Sequence, residues 1–254
     1  MTDITPGLYA EISADFTGAV ANDTDLAAIL AAIDAGQATH ADTYHLAAII
    51  GKHASSALQA HIATDSLPDG RLYFNIADGT VAPVLRQSHN LVTGAGQQVQ
   101  RTLNQRARIG INPIIPALDE NRLRDLLYKL GAAESFDDVA WLLGAPVQNF
   151  VESVADAMVR ENVDFHARAG LAPKIRRVAT PGCCEWCATL AGTYDYDKAP
   201  ADVYRRHERC TCNVEYDPSD STGLVQNVWS KRWHDPNAAA LIDFRSTVGL
   251  RRRR

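Results

Sequence analysis

All five cysteines of this 254-residue chain lie between residues 183 and 212. Cys184 and Cys187 form a C-x-x-C pair, and Cys210 and Cys212 form a C-x-C pair. A tight turn can aim the first two sulfurs at one point, as in zinc knuckles. The second two share one face if they open a strand, because strand side chains alternate. These spacings favour a structural zinc site.

The chain offers more candidate ligands than a tetrahedral zinc site requires. The preferred set is Cys184, Cys187, Cys210 and Cys212. His207 competes for one position or steadies a thiolate from outside the ligand set, and Cys183 is a sixth candidate. Four thiolates concentrate negative charge, and we expect nearby arginines to offset it. These are Arg205, Arg206 and Arg209.

Other roles for the cysteines stay open. A redox C-x-x-C normally opens a helix in a βαβ unit, which the surrounding pattern does not indicate. A disulfide staple would suit a protein that works outside the cell, and buried unpaired thiols are a further alternative. Catalytic zinc needs a nearby acid or base, for which only Glu185 and Glu208 are local.

Apolar spacing predicts helices through the first two-thirds of the chain. Gly94 and Gly96 predict a break in the third helix, and residues 72–76 could form a short strand. Lone histidines, and His53 with His61, are interpreted as satisfied surface or core residues. The predicted helices cover residues 24–36, 42–63, 81–109, 119–131, 135–143 and 146–170.

The pattern changes after Pro173, where short β-like runs are separated by turns and cysteines. The runs cover residues 174–179, 191–196 and 211–216, and helices are predicted at 224–233 and 238–248. The expected fold is mainly α, with a helical domain over 1–170. A small α+β zinc-binding module with short helices and a basic tail then covers 171–254.

Bulk composition limits the function classes. The formal net charge of -5 argues against a general polyanion binder, although the tail Arg251–Arg254 could contact DNA or simply be solvated. The sequence has no apolar run of membrane-spanning length and no secretory signal pattern, so we expect synthesis in the cytoplasm and no membrane association. P-loop, H-E-x-x-H and G-x-S-x-G motifs are absent from the sequence.

Several runs of residues together resemble one protein family. They are Val163 to Gly170, Pro173 to Arg177, Cys184-Glu185-Trp186-Cys187, Leu190 to Gly192, Tyr204 to His207, Cys210 to Tyr216, and Asn227 to Trp233. They resemble the minor head proteins of tailed phages and prophages, the head-morphogenesis group related to the Mu-type minor head protein. The resemblance extends over about residues 148–233, and the flanking residues make it more specific than the cysteine pairs alone.

The resemblance implies a non-enzymatic minor capsid protein, present in few copies. Such a protein would associate with the portal protein and the major capsid protein inside the virion, after assembly in the host cytoplasm. It would aid head assembly and DNA packaging or ejection. The resemblance assigns one structural zinc ion to Cys184, Cys187, His207, Cys210 and Cys212. Cys183 and Glu208 depart from the family, since many relatives have proline after the histidine.

Two rival functions follow from the same residues. A zinc-dependent nucleic-acid-binding protein would show salt-sensitive DNA affinity in residues 170–254. A metal-dependent hydrolase, such as a nuclease, would lose turnover in His207→Ala while keeping its fold.

Overall fold

The computed structural model describes residues 3–207 and 209–218, and the fold in these ranges is mostly helical with one small sheet. The helices are α1 (Thr5–Asn22), α2 (Thr24–Asp34), α3 (His40–His61), α4 (Phe74–Arg106), α5 (Glu120–Ala132), α6 (Ala145–Arg168) and α7 (Glu185–Leu190). The strands are β1 (Lys174–Val178), β2 (Gly192–Asp195) and β3 (Asn213–Tyr216). The predicted mainly helical fold is thus confirmed at this level. The helices predicted at 224–233 and 238–248, and the Arg251–Arg254 tail, lie outside the described residues.

Side-chain caps determine where three of the helices begin. An Asp23 oxygen accepts a backbone N–H at 2.8 Å at the start of α2, and Asp119 does the same at 3.0 Å for α5. At the start of α3, Asp42 Oδ2 accepts the N–H of Thr39 at 2.7 Å. Each contact satisfies a backbone donor that the first turn of a helix leaves free. The predicted helix starts at residues 24 and 119 are therefore confirmed to within one residue.

Helix α4 corrects two predictions. It runs unbroken through Gly94 and Gly96, and it already begins at Phe74, so the strand at residues 72–76 was a wrong prediction. A side chain at Gly96 would place its Cβ 3.1 Å from Met158 of α6. Glycine there lets α4 and α6 approach closely, and this packing outweighs the helix propensity of about 1 kcal/mol that glycine sacrifices.

Helix α3 lies at the centre and packs against α1, α4 and α6. The predicted apolar stripe of α6 faces this core, with Val147, Phe150, Val151, Val154 and Met158 all buried. Periodic apolar residues on one face of a helix bury themselves in this way because the opposite face remains in water. The helical part of the chain therefore has an ample hydrophobic core.

The three strands form an antiparallel sheet in the order β2-β1-β3. Each observed strand lies inside its predicted run. Ile175 of β1 and Val214 and Tyr216 of β3 are buried, and β3 packs against α3 and α6. The sheet therefore places the cysteine-bearing connections beside the helices. The domain limits 1–170 and 171–254 remain a prediction.

No single helix within the described ranges combines the length and the hydropathy needed to cross a bilayer. Helices α1 and α2 meet both conditions only as a pair, and the chain bends by 61° between them.

Candidate metal centre

The first cysteine pair stands at the start of α7. Cys184 is the residue that caps this helix, and its Sγ accepts the N–H of Cys187 at 3.4 Å. Gly182, with φ at +79°, adopts the left-handed conformation that glycine enters readily, and it turns the chain between β1 and α7. Cys184 remains exposed and Cys187 is buried. One helical turn therefore brings both sulfurs of the C-x-x-C pair together.

The second group lies in the irregular segment that precedes β3. The N–H of Cys210 donates to the carbonyl of His207 at 3.2 Å and closes a turn. Cys210 and Cys212 are both buried, yet neither belongs to the strand, which begins at Asn213. The expected strand alternation therefore does not position these two sulfurs; the turn does. Glu208, which stands where many relatives have proline, lies outside the described residues.

The donor atoms lie slightly closer together than the ligands of a tetrahedral zinc ion. His207 Nε2 lies 3.2 Å from Cys184 Sγ and 3.3 Å from Cys187 Sγ, and Cys187 Sγ lies 3.5 Å from Cys210 Sγ. A tetrahedral zinc ion holds its sulfur and nitrogen ligands about 3.6 to 3.8 Å from one another. A disulfide would need about 2.0 Å, and all five cysteines are free thiols.

Within residues 3–207 and 209–218, two groups of three residues could hold a metal ion, and both contain Cys187. One is Cys184, Cys187 and His207, and the other is Cys187, Cys210 and Cys212. Within each group the donor atoms lie within 4.8 Å of one another. Every predicted ligand therefore belongs to at least one group. Cys183 belongs to neither and packs against the cysteine cluster.

Arg177 of β1 is the residue beside the thiols that sequence reasoning missed. Its buried guanidinium donates towards Cys187 Sγ at 3.6 Å and Cys210 Sγ at 3.7 Å, and it also donates to the carbonyl of Val203 at 2.6 Å. A cation in this position stabilises thiolates. The only sequence signal was that Arg177 shares the inward face of the strand with Ile175.

The arginines expected to offset the thiolate charge act differently. Arg205 is exposed and pairs with Asp202 at 3.1 Å. Arg206 donates to the backbone carbonyls of Cys210 and Cys212, rather than to their sulfurs. Arg209 adopts a left-handed backbone conformation in the turn, with φ at +58°. The expectation for Arg205 and Arg206 was therefore wrong, because proximity in sequence did not bring their guanidinium groups to the sulfurs.

Helix α6 anchors the second cysteine group. The Arg206 guanidinium forms ion pairs with Glu152 and Asp156 of α6, each at 2.9 Å. Asn149 of the same helix donates to the carbonyl of His207 at 2.9 Å. These contacts fix the backbone of the ligand-bearing turn on the helical part of the chain.

The environment acts in opposite directions on two of the thiols. Burial raises the pKa of Cys187 to about 12, which keeps it protonated at neutral pH unless a cation is bound. Burial would also raise the pKa of Cys212, but hydrogen bonds from the Thr180 backbone and hydroxyl lower it below the usual thiol value. A metal ion is the natural partner for such a cluster, because it displaces thiol protons.

Glu185, which could serve a catalytic metal, belongs to neither metal-capable group. Glu185 is exposed in the first turn of α7. Among the described residues, neither metal-capable group contains an aspartate or a glutamate. The donor set is therefore composed of thiols and one imidazole.

Fold and site together define a mainly helical protein with a three-stranded antiparallel sheet, in which a cysteine and histidine cluster could hold a metal ion. No protein-family model, curated protein or solved structure matches the chain.

Proposed function

We propose that the cysteine and histidine cluster binds one structural zinc ion per chain. Sulfur and imidazole nitrogen are the donors of structural zinc sites. The two metal-capable groups share Cys187, and the four ligands are drawn from Cys184, Cys187, His207, Cys210 and Cys212. One observation carries the proposal: the buried Cys187 sulfur lies 3.3 Å from His207 Nε2 and 3.5 Å from Cys210 Sγ.

Zinc would cross-link two turns that are far apart in the sequence. The first, at the start of α7, is tied to the rest of the chain mainly through β1 and β2. The second is held on α6 by Asn149 and Arg206. Arg177 lies behind the cluster and would offset the negative charge of a thiolate-rich site. A cross-link of this kind stabilises a segment too poor in apolar residues to fold by burial alone.

For the biological role, we propose that the protein is a non-enzymatic minor capsid protein of a tailed phage or prophage. The support is the sequence resemblance over about residues 148–233. That stretch includes α6, the sheet and the cysteine cluster. In this role the protein associates with the portal protein and the inner capsid surface, and it aids head assembly and DNA packaging or ejection. The Arg251–Arg254 tail would contact packaged DNA.

Elemental analysis combined with thermal unfolding tests the zinc proposal. We expect one zinc per purified chain and a lower melting temperature after removal of the ion by a strong chelator, because a structural ion stabilises only the folded state. Re-addition of zinc should restore the original melting temperature. A metal-free protein in which four of the five cysteines are paired as disulfides would exclude the proposal.

The virion role is tested separately with particles purified after prophage induction or infection. Mass spectrometry should detect this chain in DNA-filled heads, at few copies relative to the major capsid protein. Detection only in the cell lysate would contradict the role. Salt-sensitive DNA binding by the free protein, without incorporation into particles, would favour the nucleic-acid-binding alternative instead.

A further inference from the structure

A groove runs along α5 and α6 and is lined by none of the candidate metal ligands. It contains two adjoining cavities of about 560 and 380 Å³. Both cavities include Arg122, Asn149, Phe150 and Arg206 in their walls, so they form one continuous depression. Cavities of this size accommodate several side chains or a drug-sized molecule.

Arg122 occupies the shared wall, and no carboxylate of the described residues pairs with it directly. Its guanidinium donates to Ser153 Oγ at 2.6 Å and Asn149 Oδ1 at 2.7 Å, and it stacks over Phe150 at 5.3 Å. Both hydrogen-bond acceptors are neutral. Burial lowers the pKa of Arg122, although Asp119 and Asp156 partly oppose this from a distance. The half-buried cation would therefore gain from a carboxylate placed in the groove.

The other arginines of the groove are already paired. Arg206 binds two carboxylates of α6, Arg160 pairs with Glu161 at 3.4 Å, and Arg205 pairs with Asp202. Arg122 is thus the one arginine lining the larger cavity without a carboxylate within 4.0 Å, among the described residues. A nucleic acid needs several unpaired cations for its phosphates. This arrangement suits a ligand with a single anionic group instead.

Two buried polar atoms in the larger cavity also lack partners. His89 Nε2 and Tyr204 Oη form no hydrogen bond with any described residue. Both residues line the cavity, and His89 is only 9% exposed. An unsatisfied buried polar atom costs about 1 to 3 kcal/mol, so folded proteins rarely retain one without a use. Hydrogen-bonding groups of a ligand would satisfy both atoms.

Large apolar side chains are exposed in both cavities. Ile115 lines the larger cavity and is 49% exposed, and Trp141 lines the smaller one and is 61% exposed. Exposed aromatic and aliphatic side chains beside a groove are typical anchors of protein interfaces. The groove therefore offers apolar surface in both cavities and an incompletely paired cation in the wall between them.

We propose that this groove binds a peptide segment of a partner protein, in which one acidic side chain is flanked by apolar residues. The carboxylate pairs with Arg122, and the apolar side chains cover Ile115 and Trp141. Polar groups of the bound segment bind His89 Nε2 and Tyr204 Oη. The inference goes beyond the proposed function, because it requires neither the zinc ion nor a place in a virion.

The test begins with a random peptide library selected on the immobilised full-length protein. We expect the enriched peptides to share an aspartate or glutamate between apolar positions. Arg122→Gln should weaken binding of an enriched, fluorescently labelled peptide by about tenfold or more, because a charge-assisted contact is lost. Replacing the acidic residue of the peptide by its amide should weaken binding similarly. Once Arg122 is replaced, the amide peptide should bind no more weakly than the acidic one.

Arg86→Gln provides the matched control. Arg86 is an exposed arginine of α4 that pairs with Glu120 outside the groove, so its replacement should leave peptide affinity unchanged. Ile115→Asp provides a second groove variant should Arg122→Gln fail to fold. It adds a negative charge at an exposed position and should abolish binding without unfolding the protein. Zinc content should remain the same in all three variants, which separates this test from that of the metal site.

Selection that enriches no acidic peptide would overturn the inference. So would enriched peptides that bind the folded Arg122→Gln and Ile115→Asp variants as tightly as the unmodified protein.

Discussion

The helices from α1 to α6 and the segment from residue 179 to 212 are stabilised by different kinds of interior. The helices bury long apolar stripes around α3, with Phe16, Leu46 and Leu85 among the fully buried side chains. The buried side chains of the segment, leaving aside residue 208, are Val203 and three cysteines. Those cysteines form a small cluster separate from the main hydrophobic core.

This difference indicates which substitutions should destabilise each region. Apolar burial of about 25 cal/mol per Å² stabilises the helices through many contacts, so no single contact decides their stability. The segment depends on a few donor atoms, and the loss of one should affect all of it at once. A substitution in the helices should therefore lower the stability of the fold by a limited amount. A substitution of a donor atom should disrupt the whole cysteine segment.

Replacing Cys187 by serine should have the largest effect. Cys187 belongs to both metal-capable groups, so its loss leaves neither of them complete. Structural zinc sites contribute apparent binding free energies on the order of 10 kcal/mol. We expect zinc content to fall to near zero and residues 179–212 to lose protection in hydrogen–deuterium exchange. Protection of α3 and α6 should persist.

Cys183→Ser is the matched control, because Cys183 neighbours the cluster but belongs to neither group. It should retain one zinc per chain and wild-type exchange in residues 179–212. Equal loss of zinc in both variants would contradict the central role of Cys187. Loss of protection throughout α3 and α6 in Cys187→Ser would show that the two regions do not unfold separately.

What the sequence predicted correctly was local. Apolar periodicity located α3, α5 and α6, and short β-like runs between turn residues located the three strands, because these signals lie within one element or at its ends. Helix α1 was missed, since only Ile12 and Phe16 of it are buried and they make no long stripe. Gly96 and Arg177 were misjudged or overlooked because their roles depend on Met158 and on the cysteine sulfurs, which are distant in sequence.

The sheet meets the helices at two buried histidines. The Tyr216 hydroxyl of β3 forms a hydrogen bond with His166 Nδ1 on α6, and the Tyr216 ring stacks on His40 of α3 at 5.9 Å. Burial lowers the pKa of both histidines from 6.5 to about 4, although Glu215 favours the charged form of His40. The folded state therefore favours the neutral form of both imidazoles.

Acidification should weaken this contact between sheet and helices. In the unfolded chain both histidines become protonated below about pH 6.5, whereas in the folded chain they become protonated only at about pH 4. Stability is thus complete above pH 6.5 and falls as the pH drops towards 4, by at most about 3 kcal/mol for each histidine. Urea unfolding at a series of pH values measures this loss. A chelator present throughout keeps loss of metal from contributing.

The variant His40→Gln with His166→Gln tests the assignment. Glutamine keeps a hydrogen-bonding group near Tyr216 but does not titrate in this range. The double variant should start from a lower stability at pH 7 and lose less of it on acidification. A pH dependence equal to that of the unmodified protein would assign the effect to other groups.

The smallest expected effect is on zinc affinity, when the positive charge of Arg177 beside the cysteine sulfurs is removed. Arg177→Met preserves side-chain length but removes the N–H groups that face Cys187 and Cys210. Loss of a partner that supports metal ligands typically weakens metal binding by about 10 to 100-fold. Competition with a chelator of known zinc affinity should reveal this decrease. The zinc affinity of Arg177→Lys should lie between those of Arg177→Met and the unmodified protein, because lysine keeps the charge but lacks the planar guanidinium group.

Arg176→Met is the control for this experiment, because Arg176 lies on the same strand but points outward and pairs with Glu215. Its zinc affinity should equal that of the unmodified protein. Equal zinc affinity in Arg177→Met would mean that the guanidinium supports the fold through the Val203 carbonyl and leaves the sulfurs unaffected. A loss of zinc affinity in Arg177→Met alone would instead show that the cysteine segment needs a buried cation, because its interior is built from ionisable sulfur.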